Sequence, residues 1–442
     1  MSARFKGQPP GVYLMFATEF WERFSYYGFM GIVVLFMVAS PERGGLGHSH
    51  TSALLLFGIV TSLIWIMPTA GGWLADRLIG ARAAVQLGCG GLALGNYLLA
   101  GASHWSRQGA HGPTRALFVA GVVAMIVGAG LFKSNASALL GTLFRSGDER
   151  RESGFILFYM GINLGALVAP FGAGTLGERF GWEWGFAAAG VGMTLGLIVF
   201  LWNARRYFPL PAKSVVRTTA ALPVTPLLAN RNVQLILLMA AFAVIYMTGQ
   251  MTYGGIMNLY AADRTDRSVF GFMIPATWFL SLNPMFVILL GAPVASIWQS
   301  RANRTTGVLF IEKIATGLFL MGSSFVVMLM AELAGPGLKS PFLLLAFYFL
   351  ITSAELCILP AGLVEISRRA PAGANGVLMG VWIFTMGAGS FLAGYLGSLS
   401  ATISLATVFA LLAGAGISAG AVLLAIERPM GVYLGPLARV PD

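Results

Sequence analysis

Long apolar stretches alternate with short polar ones along almost the whole chain. A window of about 19 residues, the length that crosses a bilayer as a helix, finds about twelve apolar spans. In the first half they lie near 12–39, 51–75, 82–102, 115–140, 153–175 and 184–203, and in the second near 233–261, 270–297, 308–331, 341–365, 374–398 and 402–426. The longest polar interval between spans, 204–232, holds Arg205, Arg206, Pro209, Pro211, Lys213, Arg217, Pro223 and Pro226. This predicts an all-α integral membrane protein: a six-helix bundle over 1–203, a cytoplasmic linker over 204–232, and a second six-helix bundle over 233–442 with a short cytoplasmic tail. Arg4 and Lys6 ahead of the first span resemble the start of a signal peptide. That span is long, broken by charge and without a small-residue cleavage site, so an uncleaved first helix is expected.

Composition strengthens the membrane reading, since 57% of residues are hydrophobic and only 10% are charged. Mean hydropathy is +0.77. The net charge of +11 would suggest a nucleic-acid partner in a soluble protein, but here the excess lies in short loops between apolar spans and no nucleic-acid partner is expected. Most of the Lys and Arg fall on the side of the termini, notably Arg145, Arg150 and Arg151, Arg301 and Arg304, and Arg368 and Arg369. Loops rich in positive charge stay in the cytoplasm, which places both termini there and the protein in the inner (plasma) membrane. Glycine-rich runs, Gly121–Gly130, Gly387–Gly397 and Gly414–Gly420, suit helices that approach closely.

Few ionisable groups are so deep in the spans as Glu19, Glu22 and Arg23 in the first. Each such charge at bilayer centre costs roughly 2.5–3.5 kcal/mol on insertion scales, so it needs a use. Helical spacing lines Glu19, Glu22 or Arg23, Tyr26 or Tyr27, and Met30 along one side. Deeper in the chain stand Lys133, Asn163, Asn283 and Glu355. Glu19, Glu22 and Glu355 against Arg23 and Lys133 leave one uncompensated negative charge, which a proton or a substrate ammonium could cancel. Proton and substrate occupancy would then be interdependent if the five share one cavity. The opposite expectation is a static ion cluster that only locks helices together.

The run from Glu19 to Gly28 fits the pattern E-x-x-E-R-F-x-Y-Y-G and resembles the proton-dependent oligopeptide transporter family of the major facilitator superfamily. Further matches follow in order: Gly71-Gly72-Trp73-Leu74-Ala75-Asp76-Arg77, Gly130-Leu131-Phe132-Lys133, Phe158-Tyr159-Met160-Gly161-Ile162-Asn163-Leu164-Gly165, and Glu355-Leu356-Cys357 leading to Pro360. The resemblance implies a major facilitator fold of twelve helices in two six-helix bundles, working by alternating access with proton symport of di- and tripeptides. It implies Glu19, Glu22, Arg23 and Lys133 as the proton-coupling network. Arg23, Tyr27, Lys133, Asn163, Asn283, Glu355 and Trp382 would contact substrate, with Glu355 receiving the peptide amino terminus. Asp76 and Arg77 would form a cytoplasmic gate.

Several positions depart from the family pattern. Met30 stands where an Arg is common, and Thr248-Gly249-Gln250 lacks the usual nearby acid, so both halves of an outer gate pair are missing. Trp65 replaces a Tyr and Leu359 a Ser, making the pocket more apolar, and the linker has no room for the two extra helices many bacterial members insert. A carrier or exporter of a different small anion or zwitterion is therefore the alternative, and a transport-inactive membrane sensor the third reading. His48, His50, His104 and His111 have no companion ligands at defined spacing, and Cys89 and Cys357 lie in apolar spans; no metal, cofactor or disulfide is expected. No H-E-x-x-H pattern is present, and no enzyme is expected. The expected partners are a small peptide or peptide-like solute, protons and the lipid bilayer, with the protein a monomer.

Overall fold

A computed structural model describes residues 7–145, 147–209, 228–302, 309–371 and 373–434. The expected linker positions 210–227, together with Arg4, Lys6, Arg304 and the tail from 435, lie outside the described residues. Helix α1 (Pro10–Val38) is followed by α2 (His50–Leu74), α3 (Ala81–Arg107), α4 (His111–Gly141) and α5 (Arg150–Ala169). α5 continues through a wide π turn, Pro170–Gly174, into α6 (Thr175–Phe180), and α7 (Trp182–Tyr207) closes the first half. The second half holds α8 (Arg231–Gln250), α9 (Ile256–Asp263), a hairpin of β1 (Ser268–Val269) and β2 (Phe272–Met273), α10 (Leu282–Ala302) and α11 (Leu309–Leu333). It ends with α12 (Pro341–Arg369), α13 (Asn375–Ser398), α14 (Ser400–Ile403) and α15 (Leu405–Leu434).

Among the described residues, 11 helical segments are long and apolar enough to span a membrane. α1 adds a twelfth long helix, its apolar run interrupted by Glu19, Glu22 and Arg23. At 29 residues it is long enough to cross, since about 20 residues suffice for a hydrocarbon core of roughly 30 Å.

Two expected spans are redrawn. The seventh, a single run over 233–261 by hydropathy, breaks after Gln250 and resumes at Ile256. Gly254 and Gly255 follow the break in sequence, and Gly255 takes φ −103°, ψ −104°, outside the helical region. Short-range bonds from Thr252 to Gly249 and from Gly255 to Thr252 keep the interrupted backbone satisfied, as an apolar setting requires. The eighth span, expected from 270, begins its helical turns only at Ala276. Phe270 (φ 50°) and Gly271 (φ 78°) instead make the turn of the hairpin, with Ser268 paired to Met273 and Val269 to Phe272.

Packing divides the chain into two compact units that do not follow the sequence halves strictly. Unit 1 gathers the described residues up to Ala53, those from Leu63 through α7, and Arg267–Pro284. Unit 2 gathers Leu54–Ser62, the described residues before Arg267 from α8 on, and those from Met285 on. Inside unit 1, α3 packs along α4 and α1 against α5 and α7. In unit 2, α11 packs on α12 and α15, and α8 on α13. Glycine runs allow these approaches: a methyl on Gly91 would stand 3.0 Å from the α-carbon of Gly128, one on Gly58 2.8 Å from that of Gly394, and one on Gly416 2.9 Å from that of Gly322. At the N-terminal end of unit 1, Gln8 Nε2 donates to Ser153 Oγ (2.6 Å) and Arg150 Nη1 to Gly7 O (2.9 Å), pinning the start of the chain beside the start of α5.

Candidate functional site: a charge cluster and a separate acid

Helical spacing puts Glu19 and Arg23 one turn apart on α1, and Arg23 Nε donates to Glu19 Oε1 at 2.9 Å. Glu22 Oε2 meets the same nitrogen at 2.5 Å as an ion pair, while neither Glu22 oxygen is in hydrogen-bonding alignment. All three are buried, at 2%, 0% and 7% exposure for Glu19, Glu22 and Arg23. One guanidinium therefore serves two carboxylates. Close packing fixes it there, because α5 meets α1 at Gly165, where a methyl would stand 2.8 Å from Arg23 Cβ. From the other side α3 holds α1, with Asn96 Nδ2 donating to Ser25 Oγ at 3.0 Å.

Lys133 on α4 brings the second positive charge. Its ammonium lies 4.1 Å from the ring centre of Tyr26 and 4.3 Å from that of Trp65, both cation–π distances. Nζ is buried and has no hydrogen-bond partner among the described residues. It feels repulsion from Arg23 and attraction from Glu22 and Glu19. Arg23 itself lies 5.6 Å from the same Tyr26 ring. The four groups Glu19, Glu22, Arg23 and Lys133 thus form one cluster in unit 1, two negative and two positive. An ammonium held by ring faces alone keeps its three N–H donors available, which an ion-paired lysine would not.

The other expected residues are distributed as follows. Tyr27 is half-buried and meets Tyr26 edge-on, centroids 5.4 Å apart. Asn163 is buried and its Nδ2 donates to Tyr159 O in its own helix at 3.0 Å. Asn283 is half-buried in the first turn of α10 and falls in unit 1. Asp76 and Arg77 are exposed in a wide π turn, Ala75–Ile79, that ends α2. The Arg77 guanidinium sits 5.1 Å over the Trp73 ring, and no ion pair joins Asp76 among the described residues.

In unit 2, Glu355 is half-buried on α12 and its Oε2 accepts from Gln250 Nε2 at 2.9 Å. Gln250 closes α8 at the helix break, so the unwound turn presents this amide to the acid. Trp382 is 1% exposed, stacked on Gly362, where no side chain would fit. The sequence alone does not single out Gln250 as a partner of Glu355, Asn96 as a brace of α1, or Trp65 as part of a cage. The first has a signal, a polar side chain beside a Gly-Gly break within an apolar span; the other two depend on which helices meet.

The sequence profile described as PTR2: POT family matches residues 83–234 and 227–412. A Bacillus subtilis protein called uncharacterized transporter YclF is 32% identical, covering 86% of each chain. The peptide transporter YePEPT of Yersinia enterocolitica is 30% identical over 89% of this chain and 88% of its own. A crystal structure of peptide transporter POT in complex with sulfate superposes with a TM-score of 0.87 at 30% identity, covering 97% of this chain and 96% of the other. By these matches the chain belongs to the POT family within the major facilitator superfamily, a family of multi-pass membrane transporters and not of enzymes.

Proposed function

We propose that this transporter is a proton-coupled symporter that imports di- and tripeptides or peptide-like solutes by alternating access, in the inner (plasma) membrane with both termini cytoplasmic. The observation that carries the reading is the buried cluster of Glu19, Glu22, Arg23 and Lys133, in which the one ammonium has no hydrogen-bond partner among the described residues. Buried charges without direct pairing are costly unless they act in a path for ions or protons. In this cluster a proton arriving on a carboxylate changes the sum from zero to plus one. A solute carboxylate accepted by Lys133 or Arg23 restores it. Proton and solute then favour each other's binding through charge alone, which is what symport requires.

Glu355 takes the opposite end of the solute in this reading. The Gln250 amide that donates to it is neutral, and a peptide ammonium can join or replace that donor with a stronger, charge-assisted bond. Tyr27, Asn163 and Asn283 line the solute path. Trp382 joins it only after α13 shifts, given its burial against Gly362. Asp76 and Arg77, exposed at the foot of α2, act at the cytoplasmic gate. Names of relatives support the substrate class: YePEPT is a peptide transporter and a Lactococcus lactis relative, 26% identical over 98% of this chain, is a di-/tripeptide transporter.

A second reading, a carrier of a different small anion or zwitterion, draws on the environment of Met30, which is buried at 1% exposure and adds no charge to the first helix. The experiment is uptake into proteoliposomes under an inward proton gradient, with alanine dipeptide and tripeptide, then amino acids and nitrate. Peptide accumulation that collapses with the gradient is expected. Accumulation of only a non-peptide solute overturns the first reading in favour of the second.

A further inference from the structure

Glu178 belongs to α6, at the end of unit 1 opposite the pinned chain start, and takes no part in the site above. Four donors nonetheless reach its carboxylate. Oε1 accepts from the Thr277 backbone N–H at 2.8 Å and from the Thr277 hydroxyl at 2.7 Å. Oε2 accepts from the Ala276 N–H at 2.8 Å and from Arg267 Nη1 at 3.3 Å. Arg267 is itself braced by the Ile274 carbonyl at 2.9 Å. Neighbouring bonds join the same elements: Trp278 Nε1 donates to Thr175 Oγ1 at 2.7 Å and Ser281 Oγ to Leu167 O at 2.8 Å, while Arg179 Nη2 donates to Met273 O at 3.0 Å.

Apart from the Arg267–Ile274 brace, these bonds fasten the segment Arg267–Pro284 to α5 and α6 within unit 1. The chain enters this segment from unit 2 residues and leaves it into unit 2 residues, Met285 onward. The segment is therefore a strap: its middle is tied to one unit and both its ends continue into the other. A carrier that alternates access must let its two bundles separate at each membrane face in turn, so a strap at one face has to be released, or bent at its ends, for that face to open. Met30 is apolar and Gln250 is engaged with Glu355, so neither supplies an ion pair for that task.

We propose that Glu178 is the latch of the face opposite the termini: by capping the first turn of the eighth crossing and pairing with Arg267 it biases the carrier toward the state closed on that side. The proposal rests on the transport reading for its purpose and on hydrogen bonds alone for its geometry. A carboxylate is needed because both oxygens face donors. The isosteric amide of Glu178→Gln turns one acceptor into a donor and sets it against a backbone N–H or the Arg267 guanidinium. Arg267→Gln and Thr277→Val each remove a single arm.

Double electron–electron resonance on the full chain in lipid nanodiscs tests this without any transported solute. Nitroxides go on His111→Cys and Leu338→Cys, exposed positions at the α3–α4 and α11–α12 connections of unit 1 and unit 2, with Cys89 and Cys357 both buried and so spared labelling. Glu178→Gln should move the distance distribution to longer values, with the longer population at least doubled, and Arg267→Gln and Thr277→Val should shift it less in the same direction. Unchanged distributions in all three variants overturn the latch. If Glu178→Gln fails to fold, the two single-arm variants decide: lengthening supports the latch, and no change reduces Glu178 to a structural staple and overturns it. Failure of peptide uptake by the unmodified protein would sink the proposed substrate class yet leave these distances to be judged on their own.

Discussion

In unit 1 the Glu19 and Glu22 carboxylates meet the Arg23 guanidinium, whereas in unit 2 Glu355 accepts from the Gln250 amide. Glu19 and Glu22 share Arg23, with Lys133 close enough to be felt, and the four sum to zero. Glu355 takes its bond from a neutral donor, Gln250, and brings one negative charge. In the proposed transport cycle the difference separates two jobs. A balanced cluster answers to any single added charge, including a proton, while an acid bonded to an amide offers a specific welcome to a cation. Of the five deep charges counted along the sequence, the four of unit 1 balance, and the remaining negative one is Glu355.

The sharpest way to break this comparison is to remove the shared cation. Arg23→Ala strands two carboxylates at exposures near zero, and breaking a buried pair typically costs about 3–5 kcal/mol. Thermal unfolding in detergent should show a large fall in Tm or loss of monodisperse protein; a Tm close to the parent would mean that the carboxylates are not held as ions. On the other side, Glu355→Gln should keep the fold. It should weaken binding of solutes with a free amine by roughly tenfold to a hundredfold, the equivalent of about 1.5–3 kcal/mol for a hydrogen bond to a charged group. Titration with free and amine-blocked peptides gives the answer, and an equal loss for both would remove the role assigned to Glu355.

Gln250→Ala sharpens the same point with a smaller effect. Deleting this donor leaves the Glu355 carboxylate available to the peptide ammonium, so only a severalfold change in peptide affinity is expected, with proton-driven uptake intact. A complete loss of coupling would place Gln250 in the wrong half of the comparison. The least sensitive position is Asp148, outside the membrane, whose carboxyl is held below its usual range by the Arg150 side chain and backbone N–H. A lowered pKa adds stability that is present above the ordinary carboxyl range and lost as pH falls through the lowered value. Because this pair is solvent-exposed, Asp148→Asn should leave Tm at neutral pH and uptake unchanged.

Much of the charged half is legible in the sequence. Glu19 and Arg23 are one helical turn apart, so their bond follows from spacing once the apolar run is read as a helix. The twelve crossings follow from hydropathy, with an internal break missed near Gly254-Gly255 and a helix start misplaced at Phe270-Gly271, where the runs remain apolar in composition. Lys133 stands out along the chain as a deep cation, but its cage does not, because Tyr26 and Trp65 come from two other helices. Gln250 and Glu355 are 105 residues apart and meet only through packing. Glu178 carries no signal in the sequence because an acid near a helix end beside a loop is usually solvated; what distinguishes it, four donors from residues 89 to 99 positions away, exists only in the fold.

Lys133→Ala in proteoliposomes carrying an internal pH dye tests whether the unit 1 cluster handles the proton while Glu355 handles the amine. Removing Lys133 leaves three charges summing to minus one, a cluster that no longer returns to balance when proton and solute arrive together. Peptide exchange between equal internal and external pools should persist while peptide-stimulated proton entry and uphill accumulation are lost. Proton entry and accumulation at the parent rate in a well-folded Lys133→Ala protein would contradict that division of roles.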